Sequence, residues 1–517
     1  MARSAPRPGR RFLVAGVGAL TLAGLALRLT GIDQSLFGDE IFTYAIVKPG
    51  FGHVFSGIHA YERNPPLFFF LAAAAAKLGD PTVWTRVPSL LLGTATIPLT
   101  YLIGVRTVGR GAAFLGAALL AASPFAIFYS TEARAYASLT FFVLLSLLAL
   151  LRALESDGVR WWVLFWAAST AAVYTHYTAV LPLGAEAAWA LYAHPARRRR
   201  LLIAGVAVAL AYVPWLPSLA AQNHPLIGTP LSAESFLGAL VRTLAGHPLS
   251  FPPERAFYGT PALILLGVSG AAIVGGVLVA AFKSGVRGVR IAPAQLPLVA
   301  IALVVPLALL AYSLHGTNLV SPRNLSSALP AACLLLAAVL LSMNRPLAWV
   351  AIVTLFVALG IGTAKILGPD WRRPDFKDAA HWVDREARPG DPVVEVPSYL
   401  AFGVTFFLSG FAIQHSTPLA DDIALNYRRP HERFAIVRFG VASRTVQPLP
   451  SPQAWISGAQ RGRVFVIGAV PKTLRLPISY VLPRPPGGVR RFRLVAERTF
   501  SGLYSVKVLV YAPVLTR

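Results

Sequence analysis

From Phe12 to Leu367 the chain is a succession of long apolar stretches, broken by short loops in which arginines gather. A hydrocarbon layer of about 30 Å takes about 20 helical residues to cross. Inside it every backbone polar group must be satisfied within the segment. A chain of this pattern therefore folds as a bundle of membrane-crossing helices. Composition agrees: 55% of the 517 residues are hydrophobic and 13% charged, where soluble domains carry roughly 25% charged residues. The fold class expected is an α-helical polytopic membrane protein. A net charge of +25 would also suit nucleic acid. Here, however, much of the arginine sits between apolar segments, where it sets orientation, so no nucleic-acid partner is expected. Cys333 is the only cysteine, which excludes an internal disulfide and a cysteine-based metal site.

The orientation rule fixes a topology. Arg3, Arg7, Arg10 and Arg11 make a basic start that stays cytoplasmic. The first span, 12–29, is longer than the apolar core of a signal peptide and reads as a retained anchor. The Asn64-Pro65-Pro66-Leu67 stretch opens a short apolar run over 66–79, read as interfacial or re-entrant. Ten further spans then follow, at about 83–104, 112–128, 133–151, 161–177, 179–193, 201–220, 260–281, 295–314, 325–342 and 347–367. Under this scheme Arg106 and Arg110, Arg152 and Arg160, Arg197 to Arg200, Lys283, Arg287 and Arg290, and Arg345 all fall on the cytoplasmic side. Letting 66–79 cross would invert the clusters that follow it.

Two domains are expected: 1–368 in the membrane, and 369–517 as a soluble α/β domain on the outer face. The latter opens with a helical pattern up to Arg388 and a turn at Pro389-Gly390-Asp391. Strands are predicted over 393–396, 463–470, 491–498 and 503–511.

On the outer face this topology collects Asp39, Glu40, Glu132, Arg134, His176, Tyr177 and Arg323. Ionisable residues at membrane depth are unfavourable and usually functional. Asp39 and Glu40 directly follow the first span. A carboxylate pinned there suits a general base acting on a hydroxyl, and equally suits a plain helix start. Gly38 permits a sharp approach to a run, Ile41 to Val47, expected to lie flat against lipid. Arg134 is placed in the first turn of the fourth span, where free N–H groups also favour an anion. It can instead neutralise Glu132. His176 interrupts an apolar hairpin, as a hydrogen-bonded structural residue or as part of a site. Arg323 lies outside, where orientation gives no reason for an arginine, although interfacial snorkelling would account for it. Glu186, within the sixth span, reads as a polar interhelical contact. Carboxylates near two arginines suggest transfer of a group away from a phosphate: the arginines stabilise the leaving charge while a carboxylate takes the proton of the incoming hydroxyl. No cofactor is expected. Two acids and a histidine are suitable types for a divalent metal, but their spacing gives no support for one.

Several short motifs share one order: Gly38-Asp39-Glu40 with Tyr44, Asn64-Pro65-Pro66-Leu67, Thr85-Arg86-Val87-Pro88-Ser89, the Glu132 to Tyr136 run, Thr175-His176-Tyr177, Ser321-Pro322-Arg323 and Trp371-Arg372. In this order the chain resembles the GT-C class of integral-membrane glycosyltransferases. The nearest branch is that of protein O-mannosyltransferases and bacterial aminoarabinose transferases, over residues 12 to about 395. The resemblance implies a GT-C fold and a polyprenyl-phosphate-linked sugar donor. It also implies an outer-face active site in the bacterial cytoplasmic membrane, and inversion at the sugar carbon. Asp39, with Glu40 beside it, matches the acidic residue of the first outer loop. Arg134 and Arg323 match basic positions near the donor phosphate, and Glu132, His176, Tyr177 and Tyr44 are carried with them as binding residues. Relatives often have an aromatic after Pro-Arg, where this chain has Asn324. The acceptor is left as a glycan, lipid or protein. The competing function is a transporter or flippase of lipid-linked sugars, but the paired halves common in transporters are not evident.

Overall fold

The computed structural model describes residues 10–62, 64–221, 231–248, 254–284, 291–388, 393–396, 411–416, 423–429, 432–433, 462–471 and 492–514. Arg3, Arg7, Arg287, Arg290 and the turn at Pro389-Gly390-Asp391 lie outside the described residues. The helices are α1 (Arg10–Leu29), α2 (Asp39–Val47), α3 (Val54–Tyr61), α4 (Leu67–Ala76), α5 (Pro81–Trp84), α6 (Val87–Thr107), α7 (Arg110–Ala122), α8 (Pro124–Ser130), α9 (Tyr136–Ser156), α10 (Val159–Val173), α11 (Val180–Ala193), α12 (Arg198–Tyr212), α13 (Leu216–Ala220), α14 (Ala233–Ala245), α15 (Glu254–Ser284), α16 (Leu296–His315), α17 (Leu329–Ser342), α18 (Arg345–Leu367) and α19 (Phe376–Glu386). The strands are β1 (Val393–Val396), β2 (Phe411–Ser416), β3 (Ile423–Arg429), β4 (Glu432–Arg433), β5 (Val464–Pro471), β6 (Phe492–Phe500) and β7 (Tyr504–Pro513). They form two compact units. One comprises 1–32, 63–79 and 84–366; the other 33–62, 80–83 and 367–517.

The first unit is a polytopic helical membrane bundle. Among the described residues seven helices are long and apolar enough to cross a membrane, and α7 with α8 makes an eighth if that pair, bent by 62°, is one span. The bend falls at Ser123-Pro124, where proline cannot donate to the preceding turn and the Ser123 hydroxyl caps α8 by accepting from Ala126 N–H. The remaining expected spans correspond to shorter helices, the apolar part of α1, α10 and α11. Helix α4 has ten residues, about 15 Å at 1.5 Å per residue, and is too short to cross. Small residues let the helices approach closely, as expected where lipid offers no hydrophobic drive. A Cβ added at Gly104 of α6 would lie 2.8 Å from the Ala113 Cα of α7. Glu186 of α11 accepts from the Ser146 hydroxyl of α9 at 2.8 Å, and Ser146 meets Ser169 of α10 at 3.0 Å. That is the interhelical contact read from sequence.

The second unit is α/β. Its four-stranded sheet has the order β1-β5-β7-β6, with β1 parallel to β5 and the other pairs antiparallel. These four are the strands predicted, within two residues at each end. The antiparallel β2-β3-β4 sheet was not predicted. Helix α19 buries Phe376, Ala379, Ala380 and Val383, the i, i+3, i+4, i+7 stripe of an amphipathic helix. Its Trp382 meets Phe465 of β5 edge-on. The 33–62 segment belongs to this unit. Helix α2 buries Ile41, Tyr44, Ile46 and Val47, and Gly57 of α3 faces Ile46, with room for a Cβ only 3.1 Å from the Ile46 Cα. The apolar run expected against lipid is thus covered by protein, because α3 supplies a small-residue face for it.

Candidate active site

In the bundle, the end of α9 at Tyr136 organises a basic and aromatic cluster. Residues 131–135 form a turn ahead of α9, so Arg134 precedes the helix, one residue before its N-cap, rather than sitting in its first turn. The Arg134 N–H donates to the Glu132 carbonyl at 2.7 Å, and the Ser89 hydroxyl donates to the Arg134 carbonyl at 3.0 Å. Ser89 is the last residue of the Thr85 to Ser89 motif, and this bond gives that motif a local purpose. Arg134 is buried and Glu132 half-buried.

His176 lies in the turn between α10 and α11. That turn is tied down by Leu67 N–H donating to the Tyr174 carbonyl at 2.9 Å and by the Tyr174 hydroxyl donating to the Ala211 carbonyl at 2.8 Å. The Thr178 N–H donates to His176 Nδ1 at 3.2 Å, and the Thr178 hydroxyl lies 2.8 Å from the same nitrogen. Since Nδ1 accepts, the proton of the neutral ring is on Nε2. A ring whose Nδ1 accepts is not the doubly protonated form. The ring is therefore neutral and offers one donor, Nε2–H.

Tyr136 completes the cluster. Its ring is 5.4 Å from that of His176 and 5.2 Å from that of Tyr129, and the Arg323 guanidinium lies 5.9 Å from its centroid, within cation–π range. Arg323 is exposed and sits on the 3₁₀ turn Pro322–Ala328. Asn324 braces that turn by donating its side-chain amide to the Leu319 carbonyl at 2.7 Å. Sequence reasoning named the motif ending in Tyr136 but not Tyr136 as a site residue. The available signal was its place as the first helical residue, two after Arg134. The Tyr177 hydroxyl accepts from Trp215 Nε1 at 3.2 Å. Arg28 is fully buried in α1 and donates to the Gly24 carbonyl at 2.8 Å.

In the other unit, Gly38 is the N-cap of α2 with φ +56°, and Asp39 is the first helical residue. The positive φ requires glycine's freedom and turns Asp39 into the helix. Asp39 is half-buried, Tyr44 buried. Glu40 is fully buried. It pairs with Arg373 Nε at 3.1 Å, itself buried, and accepts from Phe37 N–H at 3.2 Å. Gln34 accepts from Arg373 N–H at 3.1 Å, and Ser35 from Lys377 N–H at 2.9 Å. The two adjacent carboxylates therefore differ: Glu40 ties the first loop to the 367–517 segment, while Asp39 is the more accessible.

Residues 63–218 match the family model for dolichyl-phosphate-mannose-protein mannosyltransferase, under a third of the chain. The chain resembles the GT-C glycosyltransferases. The matched segment contains Glu132, Arg134, His176 and Tyr177, but neither Asp39 nor Arg323. Among solved structures, ArnT from Cupriavidus metallidurans bound to undecaprenyl phosphate is 15% identical with a TM-score of 0.45, over 96% of this chain and 98% of that one. The oligosaccharyltransferase AglB from Archaeoglobus fulgidus, in complex with an inhibitory peptide and a dolichol-phosphate, is 14% identical with a TM-score of 0.47, over 76% and 63%. The arabinosyltransferase EmbB from Mycobacterium smegmatis is 16% identical with a TM-score of 0.34, over 100% and 64%. All three scores are below 0.5, and no residue role follows from them. No curated protein matches the chain.

Proposed function

We propose that this protein moves a sugar from a polyprenyl monophosphate to an acceptor hydroxyl on the outer face of a bacterial cytoplasmic membrane, with inversion at the sugar carbon. The observation that carries this reading is the cluster at Tyr136, whose ring meets both His176 and the Arg323 guanidinium, with Arg134 two residues before it. Two guanidinium groups and an imidazole N–H are an anion's partners, and charge-assisted hydrogen bonds of this kind are the strong ones. A lipid monophosphate carries its charge at headgroup depth and leaves its tail among the spans. Asp39 takes the proton of the acceptor hydroxyl. The acceptor oxygen attacks the anomeric carbon from the face opposite the phosphate. The carbon–phosphate oxygen bond breaks, its electron pair leaves on the polyprenyl phosphate, and Arg134 and Arg323 stabilise the added charge. Glu132 helps to orient the arginines, and Glu40 keeps Asp39's loop in place. The membrane orientation behind this reading is the one the arginine clusters imply.

Purified protein in lipid should transfer from a polyprenyl-phosphate sugar and ignore the corresponding nucleotide-sugar. Efficient transfer from the nucleotide-sugar, with no lipid carrier present, overturns the reading.

A further inference from the structure

Within the α/β unit, one face of α19 and the end of β6 enclose an open cleft of about 390 Å³, lined chiefly by Arg372, Asp375, Asp378, His381, Arg385 and Arg498. Its size falls in the range of small-molecule sites, roughly 300–1,000 Å³. The helical spacing explains its chemistry. Phe376, Ala379, Ala380 and Val383 turn to the sheet, which leaves Asp375, Asp378, His381 and Arg385 on the other side of α19.

The charges in the cleft are not all spent on one another. Arg372 pairs with Asp375 at 3.3 Å, and the Asp375 carboxylate also caps α19 by accepting from Asp378 N–H at 3.3 Å. Arg385 and Arg498 form no ion pair with any described residue. Arg498 is held by aromatic faces, 5.5 Å from the Phe500 centroid and 6.0 Å from that of Trp382. A guanidinium already steadied in this way loses little freedom on binding, and its planar fork suits a carboxylate or phosphate. Asp378, exposed on the same face, has acceptor oxygens for hydroxyl groups. A steadied guanidinium for an anion, beside a carboxylate for hydroxyls, meets the two demands of an acidic sugar.

We propose that this cleft is a binding site for an anionic saccharide, a sugar ring bearing a carboxylate or a phosphate, with Arg385 and Arg498 holding the anion and Asp378 the ring hydroxyls. The site fits a glycan-bearing acceptor, but it stands independently of the transfer reaction and of the residues assigned to it.

The test is isothermal titration of the full-length protein in detergent with glucuronic acid, glucose 6-phosphate, glucose and inorganic phosphate. At least one acidic sugar should bind at least about tenfold more tightly than glucose, the scale of a single hydrogen bond to a charged group. It should also bind more tightly than inorganic phosphate. Arg498→Ala and Arg385→Ala should each weaken that binding about tenfold or more, and Asp378→Asn should narrow the gap between the sugar and inorganic phosphate. Arg498→Lys, which keeps the charge and the packing stem, separates lost recognition from lost folding by recovering part of the affinity. Three results overturn the proposal: glucose binding as tightly as the acidic sugars, inorganic phosphate binding as tightly as glucose 6-phosphate, or acidic-sugar binding that both arginine variants leave unchanged.

Discussion

The two ends of α9 use arginine in opposite ways. Near Ser156, the arginines meet carboxylates at the surface. Arg106 lies 3.3 Å from Glu155 and Arg152 lies 3.7 Å from it. Asp157, in the left-handed conformation that ends α9, pairs with both Arg197 and Arg200. Arg152 and Arg160 also lie over the Trp161 ring. At the Tyr136 end, a buried Arg134 precedes the helix, an exposed Arg323 lies over the Tyr136 ring, and His176 meets the same ring. The helix between them has 21 residues, about 30 Å at 1.5 Å per residue, which is the thickness of the hydrocarbon layer. The first end has what a protein needs to be oriented and soluble at an interface. The second gathers positive charge beside aromatic rings. Sequence position alone does not separate these two uses of arginine; the company each arginine keeps does.

The contrast breaks most sharply on sidedness. Ser156 and His315 are both exposed, at the ends of α9 and α16. A cysteine at His315 should react with an impermeant reagent applied to intact cells, and one at Ser156 should not. Native Cys333 is buried and gives a low background. Labelling at 156 with protection at 315 would turn the molecule over and remove the proposed outer-face site.

Asp39 and Glu40 repeat the contrast between adjacent residues. Asp39→Asn should lower turnover by about 10² or more, the usual contribution of a general base, and leave thermal stability near that of the parent. Glu40→Gln removes one partner of a buried ion pair. It should cost about 3–5 kcal/mol of stability, visible as a lower melting temperature in detergent. If Asp39→Asn turns over normally, Asp39 only starts α2. If Glu40→Gln melts normally, the pair with Arg373 does not hold the loop.

Arg134→Ala and Arg323→Ala come next. Each should reduce use of the lipid-linked donor by about 10- to 100-fold, the value of a hydrogen bond between charged groups. Lysine at either position should recover part of the loss, because charge returns without the fork. Kinetics against donor concentration read this directly. Equal, small effects at both positions would reassign the cluster to packing.

The helical half of this architecture was legible because the lipid environment leaves so few choices. Apolar length and arginine placement led to spans, and the four predicted strands form one sheet. What was not legible came from long-range contacts. The Ile41 to Val47 run reads as lipid-facing until α3 and Gly57 are seen against it. Glu40 reads as a twin of Asp39 until Arg373, more than three hundred residues on, takes it up. Arg134 reads as a helix residue because Thr131 and Glu132 are good helix starters, whereas the chain makes one more turn before α9. His176 reads as a structural residue or a site residue. Its Nδ1 is used structurally by Thr178, and its ring meets that of Tyr136 at 5.4 Å.

The smallest effect belongs to the end of α9 where the charges already cancel. Asp157→Asn keeps the size of the side chain, and asparagine also accepts the left-handed conformation at this position. The substitution removes the charge that meets Arg197 and Arg200, whose side chains are 33% and 47% exposed, with Asp157 at 29%. Pairs this open to solvent are worth about 0–1 kcal/mol each and weaken with salt. The melting temperature should therefore fall slightly at low ionic strength, and the difference from the parent should shrink as salt is raised. Donor use should be unchanged at every salt concentration. A loss of transfer in Asp157→Asn comparable to that in Arg134→Ala would mean that the two ends of α9 are coupled. The contrast drawn between them would then describe a single linked site.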